Sequence, residues 1–385
     1  MSVVRREARR RWAVVVAFVA ALCATPVALA AIPAPSSGRA PAELLRRALA
    51  SGGRAHEGLI EVSGSLGLPD LPGLDETTGP LHGTSRLRTW YDGARRWRVA
   101  ELSTTGERDY LTNGDSLDVW DYERNQLTRI VGRPAVRLPN ASDLTPPSLG
   151  RRLLGLVRAH DKVTALKARR VAGRPADGVR VTTSDQETTI GAVDLWLDPS
   201  SGVPLEVHVL ARGATRPALS TRFLEFAARR PAAAEVAPRP ARGLMRGTVD
   251  APDLLSRLVT FTNLRLPDTL AGRAAMPGTA SVASIRGYQG GFASLAVAPL
   301  PPHYGQRLVG AAQDAGAAIT PLRTSAPANR NAGERSAIAH SGEYLMLTTP
   351  LLNAMLFHAD AGTTFLLVGA VRPDVLQAAA AELTP

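Results

Sequence analysis

Ser116 has a setting that could support nucleophilic catalysis, since Gly114-Asp115-Ser116-Leu117 spells the signature of one class of serine lipases. A serine hydroxyl is a weak nucleophile without a neighbouring base, and that class takes its base from an Asp-x-x-His near the C-terminus. None of the 7 histidines has an aspartate three positions before it. The motif follows Asn113 between two alternating runs, as turn residues do. We therefore interpret it as a hairpin turn, with a serine esterase as a remote alternative.

No other arrangement of side chains indicates catalysis. The chain has no Gly-x-Ser-x-Gly elbow, no Walker loop and no His-Glu-x-x-His, and its histidines lack the short spacings of metal sites. The carboxylate pairs Asp118/Asp121 and Asp194/Asp198 lie on alternating strands, where we expect them to face solvent. Paired-carboxylate catalysis stays an open alternative. We expect no catalytic residue, no metal, no cofactor and no enzymatic activity.

The N-terminus predicts export. Five arginines within residues 1–11 precede an apolar run over 12–23 and the small-residue exit Ala28-Leu29-Ala30, which is the pattern of a secretory signal peptide. We therefore predict a signal peptide over 1–30. The alternative is an uncleaved anchor, because residues 12–31 reach the roughly 20 residues that cross a bilayer. Pro26 favours cleavage.

The cysteine count and the charge exclude several classes of protein. The single cysteine is Cys23, so loss of the signal peptide would leave no disulfide and no thiolate metal site. The formal charge is +11, and residues 1–30 carry five Arg and one Glu, so their removal changes it by four. The arginine pairs are scattered along the chain and not gathered in one stripe, so we expect no nucleic-acid partner.

The hydrophobic pattern predicts two structural units joined by a linker. An exposed leader over 31–43 would lead into a first unit over 44–228, with a helix near its start and another over 148–160. Asp-Gly and Asn-Gly turns between alternating runs indicate a meander of antiparallel strands. We predict eleven strands there, at 58–68, 83–91, 96–103, 107–112, 117–122, 126–131, 163–171, 178–183, 189–197, 204–211 and 218–226. Residues 229–243, which are rich in Pro, Ala and Arg, would link it to a second unit over 244–385.

The second unit has fewer and shorter alternating runs. We predict strands near 259–266, 283–289, 291–299, 344–349 and 364–371, a loop over 323–337, and a final helix over 373–383.

Apolar side chains recur on single faces of the predicted strands. Two interpretations stay open: a core packed under the helices, or the lining of a cavity between a curved sheet and those helices. Under the second interpretation the candidate ligand contacts are Trp90, Trp97, Val99, Trp120, Tyr122, Leu205, Val207 and Phe223.

Three runs of the first unit resemble the LolA/LppX/RseB superfamily. They are RLRTWYDGARRWRV over 86–99, GERDYLTNGDSLDVWDYERN over 106–125 and LWLDPSSGVPLEV over 195–207. Trp97 matches the first aromatic of the family pattern, and Trp120 and Tyr122 match the later pair. Two runs of the second unit resemble the C-terminal domain of the two-domain RseB branch: FTNLRLPDTL over 261–270 and YQGGFASLAV over 288–297. The sequence over 323–337 departs from the pattern of that branch.

The resemblance implies an α+β protein, with a large curved antiparallel half-barrel whose helices lie on the concave face, and a smaller C-terminal α+β domain. It implies a non-enzymatic lipid-binding or lipoprotein-binding protein of the periplasm or extracytoplasmic cell envelope, membrane-anchored if the signal is not cleaved. An RseB-like regulator would bind an acyl chain and the ectodomain of a membrane anti-sigma factor in envelope stress signalling. The alternative is a LolA/LppX-like carrier of lipids or lipoproteins.

Overall fold

The structure is a computed structural model, and it describes only part of the chain. The described residues are 11–20, 33–66, 82–104, 106–132, 140–238, 243–250, 265–277, 285–300, 310, 320–325, 338–359 and 362–383. Residues 11–20 are helical, and the rest of the predicted signal peptide lies outside this set. So do most of the predicted strand over 259–266 and of the predicted loop over 323–337. No helix within these ranges is both long enough and apolar enough to cross a membrane.

Twelve strands form the larger sheet. They are β1 (His56–Ser65), β2 (His82–Tyr91), β3 (Arg96–Leu102), β4 (Glu107–Asn113), β5 (Ser116–Asp121), β6 (Gln126–Val131), β7 (Lys162–Val171), β8 (Arg174–Thr182), β9 (Ile190–Leu197), β10 (Pro204–Ala211), β11 (Leu219–Ala227) and β12 (Met245–Asp250). Their order across the sheet is β12-β6-β5-β4-β3-β2-β1-β11-β10-β9-β8-β7. All neighbours are antiparallel except β12, which runs parallel to β6. The predicted α+β class is confirmed, as is the antiparallel sheet of eleven strands before residue 228.

The predicted turn chemistry is also confirmed where the strands are closest in sequence. Gly114 has φ +85°, a backbone conformation that glycine adopts without strain, between β4 and β5. Ser116 is the first residue of β5, and the Thr112 hydroxyl donates a hydrogen bond to its carbonyl at 2.9 Å. The lipase-like motif is therefore a hairpin turn.

Two helices cover one face of this sheet, which we call the inner face. They are α1 (Pro41–Ala50) and α2 (Pro146–Leu154). Each has a proline in its first turn, where the missing N–H removes no helical hydrogen bond. Gly150 brings α2 against the sheet, because a Cβ there would lie 3.2 Å from both Leu195 and Pro204.

The main core lies between these helices and the inner face. Its members are apolar residues that alternate along the strands, together with one side of each helix. The most enclosed include Leu44, Ala48, Ile60, Val62, Leu87, Leu154, Val179, Val193, Leu195, Leu205, Val207 and Phe223. Burial of such side chains contributes roughly 1.5–3 kcal/mol each, so this layer stabilises the larger sheet.

A second, six-stranded sheet and a helix form a separate core. The elements are β13 (Thr269–Leu270), β14 (Arg273–Ala274), β15 (Arg286–Tyr288), β16 (Leu295–Leu300), β17 (Thr320–Ser325), β18 (Ile338–Thr348), β19 (Asn353–Ala359), β20 (Thr364–Gly369) and α3 (Pro373–Glu382). The strand order is β15-β16-β20-β19-β18-β17, with β13 and β14 as a separate hairpin. The strands β13, β14, β17 and β19 are absent from the sequence prediction, and β17 includes the first three residues of the predicted loop over 323–337.

The loop between β8 and β9 joins the two sheets. The buried Thr188 hydroxyl donates to the Ala370 carbonyl at 2.8 Å, and the Thr189 hydroxyl donates to the Leu351 carbonyl at 2.6 Å. Glu187 adds an ion pair with Arg273 at 2.5 Å. The two sheets are thus connected through side chains as well as through the chain that runs between them.

Candidate ligand groove

A groove of about 270 Å³ lies between the inner face of β1–β3 and α2. Its floor comes from the strands and includes Tyr91, Trp97 and Val99, and its roof comes from α2 and the turn before it. The cavity is partly open to solvent. The groove is therefore a place where a small ligand could enter from outside.

Strand pairing explains why these floor residues meet. Tyr91 pairs with Trp97, and Thr89 pairs with Val99, in the antiparallel ladder of β2 and β3. His56 pairs with Tyr91 from the other side. Because residues alternate between the two faces of a strand, all five side chains project to the inner face.

A capped turn fixes the roof. The Asn140 side chain accepts a hydrogen bond from the Ser142 backbone N–H at 3.0 Å, and Asp143 accepts one from the Asn140 N–H at 3.0 Å. These two bonds form a capping box, which satisfies backbone groups that would otherwise be unpaired. Arg152 then pairs with Asp143 at 2.9 Å. The turn over 140–145 therefore holds the entrance of the groove in one conformation.

His56 forms the inner wall of the groove and is only 2% exposed. Its ring stacks on Tyr91 with centroids 4.8 Å apart, and its Nδ1 donates to the Arg54 carbonyl at 2.9 Å. Burial lowers the pKa of His56 to about 4, since the charged ring would lose its hydration. At neutral pH the wall of the groove is therefore uncharged.

Arg151 supplies a cation to the roof. Burial lowers the pKa of its guanidinium, whose Cζ lies 6.0 Å from the centre of the Tyr91 ring. This distance is at the limit for attraction between a cation and the face of a ring. The groove thus combines Trp97 and Val99 in its floor with the guanidinium of Arg151 in its roof.

The structure separates the eight sequence candidates into three groups. Trp97 and Val99 line the groove. Leu205, Val207 and Phe223 are on the same face but are fully enclosed in the core. Trp90, Trp120 and Tyr122 project from the outer face, because Trp90 pairs with Arg98, and Trp120 pairs with Asp109, in ladders whose alternate members face inward. Contact between a ligand and these residues stays a prediction for the inner-face residues, and the outer three lie outside the groove.

The outer aromatic residues pack around a buried charge. Trp120 stacks on Tyr122 with centroids 4.1 Å apart, and the guanidinium of Arg98 lies 4.7 Å from the Trp90 ring. Arg98 also pairs with the fully buried Asp109 at 2.7 Å. Burial raises the pKa of Asp109 to about 7, against the opposing effect of Arg98. These aromatic rings therefore have a structural environment of their own.

The expectation that the paired aspartates face solvent is wrong for three of the four. Asp118, Asp194 and Asp198 are each less than 9% exposed, and each is paired with an arginine of a neighbouring strand. The pairs are Arg129 with Asp118 at 2.8 Å, Arg180 with Asp194 at 2.6 Å, and Arg174 with Asp198 at 3.0 Å. Asp118 and Asp194 hold neighbouring strands together on the outer face, and Asp198, directly after β9, is bound to Arg174 of β8. Within the part of the chain that the structure describes, no group of three His, Cys, Asp or Glu side chains could hold a metal ion.

The fold is a large antiparallel sheet with a helix-covered cavity, and it is similar to the folds of solved structures of MucB and of a LolA superfamily protein. No family model matches the chain. No curated protein matches it either.

Three solved structures illustrate the likeness. A chain of the Pseudomonas aeruginosa MucA/MucB complex has 16% sequence identity and a TM-score of 0.46, over 88% of this chain and 96% of that chain. A crystal structure of MucB has 17% identity and a TM-score of 0.43, over 89% of this chain and 96% of that chain. A LolA superfamily protein from Nitrosomonas europaea has 13% identity and a TM-score of 0.25, over 52% of this chain and 99% of that chain. The likeness is one of fold alone.

Proposed function

We propose that the chain is a non-enzymatic protein of the extracytoplasmic cell envelope that binds one acyl chain in the groove. The observation that supports this is a solvent-reaching cavity on the inner face with Trp97 and Val99 in its floor. Ligand pockets combine apolar walls with a few polar groups that fix orientation. In this groove Ala94, Trp97, Val99 and Pro147 supply the apolar part of the lining, and hydroxyl and charged side chains supply the rest.

The size of the groove favours a single hydrocarbon chain. Its volume of about 270 Å³ lies just under the roughly 300–1,000 Å³ of pockets for drug-sized molecules. The floor would remove methylene groups from water, at about 0.8 kcal/mol for each buried CH₂. Several buried methylenes would therefore give measurable affinity.

Exchange of one floor residue tests acyl binding. Trp97→Asp would place a carboxylate against the chain, and burial of an unpaired charge is strongly unfavourable, so dodecanoate binding should fall at least tenfold in calorimetric titration. Trp90→Asp is the matched control, because Trp90 belongs to the outer face. It should leave the affinity within about twofold of wild type. Equal loss in both variants, or no binding by the wild-type protein, would remove the proposal.

We further propose that ligand occupancy regulates a protein partner, as an RseB-like protein would. The runs over 261–270 and 288–297 resemble the C-terminal domain of that group, and the second sheet is joined to the first through the loop around Thr188. The corresponding partner is the ectodomain of a membrane anti-sigma factor. MucB has been solved in complex with MucA(peri).

A pull-down with candidate ectodomains tests the regulatory function. The purified protein should retain one ectodomain, and saturating dodecanoate should change the retained amount. If acyl binding is intact but no ectodomain is retained under either condition, the regulatory function is wrong. The chain would then act as a lipid or lipoprotein carrier.

A further inference from the structure

The charged side chains of the groove do not balance. Its lining contains three groups that carry charge near neutral pH: Asp143, Arg151 and Arg152. Asp143 and Arg152 form an ion pair at 2.9 Å, so these two largely neutralise each other. Arg151 therefore leaves the groove with a net positive charge.

The guanidinium of Arg151 is also incompletely satisfied. Its Nη1 is enclosed by protein, and none of the groups in the described part of the chain accepts a hydrogen bond from it. The carbonyl oxygen of Arg151 is used in the last turn of α2, where the Gly155 N–H donates to it at 3.0 Å. Its side chain thus has no described acceptor, although the helix fixes its backbone.

Arg151 is partly buried, and its enclosed Nη1 loses hydration without gaining an ion pair in return, which is unfavourable. The ring of Tyr91 offsets only part of this loss, since its centre lies 6.0 Å away, at the limit of attraction between a cation and a ring. A negatively charged ligand group would complete the site with charge-assisted hydrogen bonds. The floor beside Arg151 includes Trp97 and Val99, which a hydrocarbon part of the same ligand would cover.

We propose that the groove selects a single-chain amphiphile with an anionic head group, which Arg151 binds while the chain lies along Trp97 and Val99. This inference rests on the proposed acyl binding and adds the chemistry of the head group. Carboxylate and phosphate share that chemistry, because both present paired oxygens to a guanidinium. A fatty acid and a lipid phosphate are therefore the two sources to distinguish.

Four probes with one twelve-carbon chain test the head group. Dodecanoate, dodecyl phosphate, dodecanol and dodecyltrimethylammonium are titrated below their micellar concentrations into the full protein. At least one of the anionic probes should bind tenfold or more tightly than dodecanol, and the cationic probe should bind most weakly. The preferred anion identifies the source. Tenfold corresponds to about 1.4 kcal/mol.

Variants then assign the preference to one residue. Arg151→Gln should reduce binding of the preferred anion to the level of dodecanol and leave dodecanol binding unchanged, while Arg151→Lys should retain part of the preference. Arg46→Gln is the matched control, since Arg46 is an exposed arginine of α1. If Arg151→Gln does not fold, the comparison of probes on the wild-type protein still tests the preference for an anionic head group, and Arg151→Lys tests the role of this residue.

Each outcome has a distinct meaning. Equal affinity of the wild-type protein for the anionic probes and dodecanol would overturn the anionic preference and leave acyl binding intact. An anionic preference that persists in Arg151→Gln would overturn the role of Arg151. Absence of binding by all four probes would overturn the proposed function together with this inference.

Discussion

Removal of the His56 imidazole should make the protein less sensitive to acid. His56 is buried beside the groove, stacked on Tyr91 and packed edge-on against Phe223 with centroids 5.9 Å apart. A His56→Phe variant keeps an aromatic ring of similar size at this position. It loses the hydrogen bond to the Arg54 carbonyl, which lowers stability by about 1 kcal/mol at every pH.

The pH dependence follows from the lowered pKa. In the unfolded chain His56 takes up a proton near pH 6.5, but in the folded protein it does so only near pH 4. Between these values the unfolded state binds more protons, so acid favours unfolding. The resulting loss of stability is about 2 kcal/mol at pH 5 and about 3 kcal/mol below pH 4.

Denaturant titrations between pH 7.5 and pH 4.5 measure this difference. From pH 7.5 to pH 5 the free energy of unfolding of the wild-type protein should fall by about 2 kcal/mol more than that of His56→Phe. His160→Phe is the matched control, because His160 is exposed, and it should follow the wild-type curve. Parallel curves for wild type and His56→Phe would refute the buried, neutral histidine.

Three further predictions concern the core, the buried Asp109 and the contact between the two sheets. Phe223→Ala should lower the free energy of unfolding by about 3–5 kcal/mol, measured by urea titration, and a loss under 1 kcal/mol would mean that this ring is not enclosed in the core. In the wild-type protein the free energy of unfolding should fall as the pH rises from about 4 to about 7, because the raised pKa of Asp109 makes the folded state bind more protons in that range. Asp109→Asn should remove this fall, and an unchanged slope in denaturant titrations at several pH values would contradict the prediction. Thr188→Val should remove one of two hydrogen bonds to the Ala370 carbonyl, which keeps the one from the Thr189 N–H, and should cost about 1 kcal/mol. The loss should appear as faster hydrogen exchange over 364–371 than over 56–65, and equal rates in variant and wild type would argue against this contact.

The strands of the larger sheet could be predicted because their sequence signals are local. Alternation fixes which residues form β1 to β11, and Asn-Gly or Asp-Gly turns fix where neighbouring strands separate. β12 carries little of this pattern: it is short, follows a proline-rich run and has few apolar residues. It is held by pairing with β6, which is distant in sequence, so no local signal identifies it.

The direction in which each strand faces could not be predicted. Alternation assigns Trp97 and Trp120 to faces of their own strands, but it does not relate those faces to the helices, because that relation depends on pairing across the sheet. The same limit explains the buried aspartates. Asp194 is the one charged residue of β9, and Arg180, which pairs with it, comes from the neighbouring strand β8.

Two groove residues, His56 and Arg151, could not be predicted because their sequence contexts carry only weak signals. His56 is at the start of β1, where a single histidine resembles any surface residue. Arg151 is one of two adjacent arginines, and only the position of α2 shows that Arg152 pairs with Asp143 while Arg151 turns toward Tyr91. A charged residue in the last turn of an apolar helix near a predicted strand is the one signal that could have identified it.

Photo-cross-linking with a diazirine-bearing fatty acid tests most directly whether the groove holds a hydrocarbon chain. The bound chain is irradiated, the protein is digested, and the labelled peptides are identified by mass spectrometry. We predict labels within residues 89–99 and 142–152, which excess dodecanoate removes. Labels confined to the peptides around Trp120, or to the six-stranded sheet, would contradict the account.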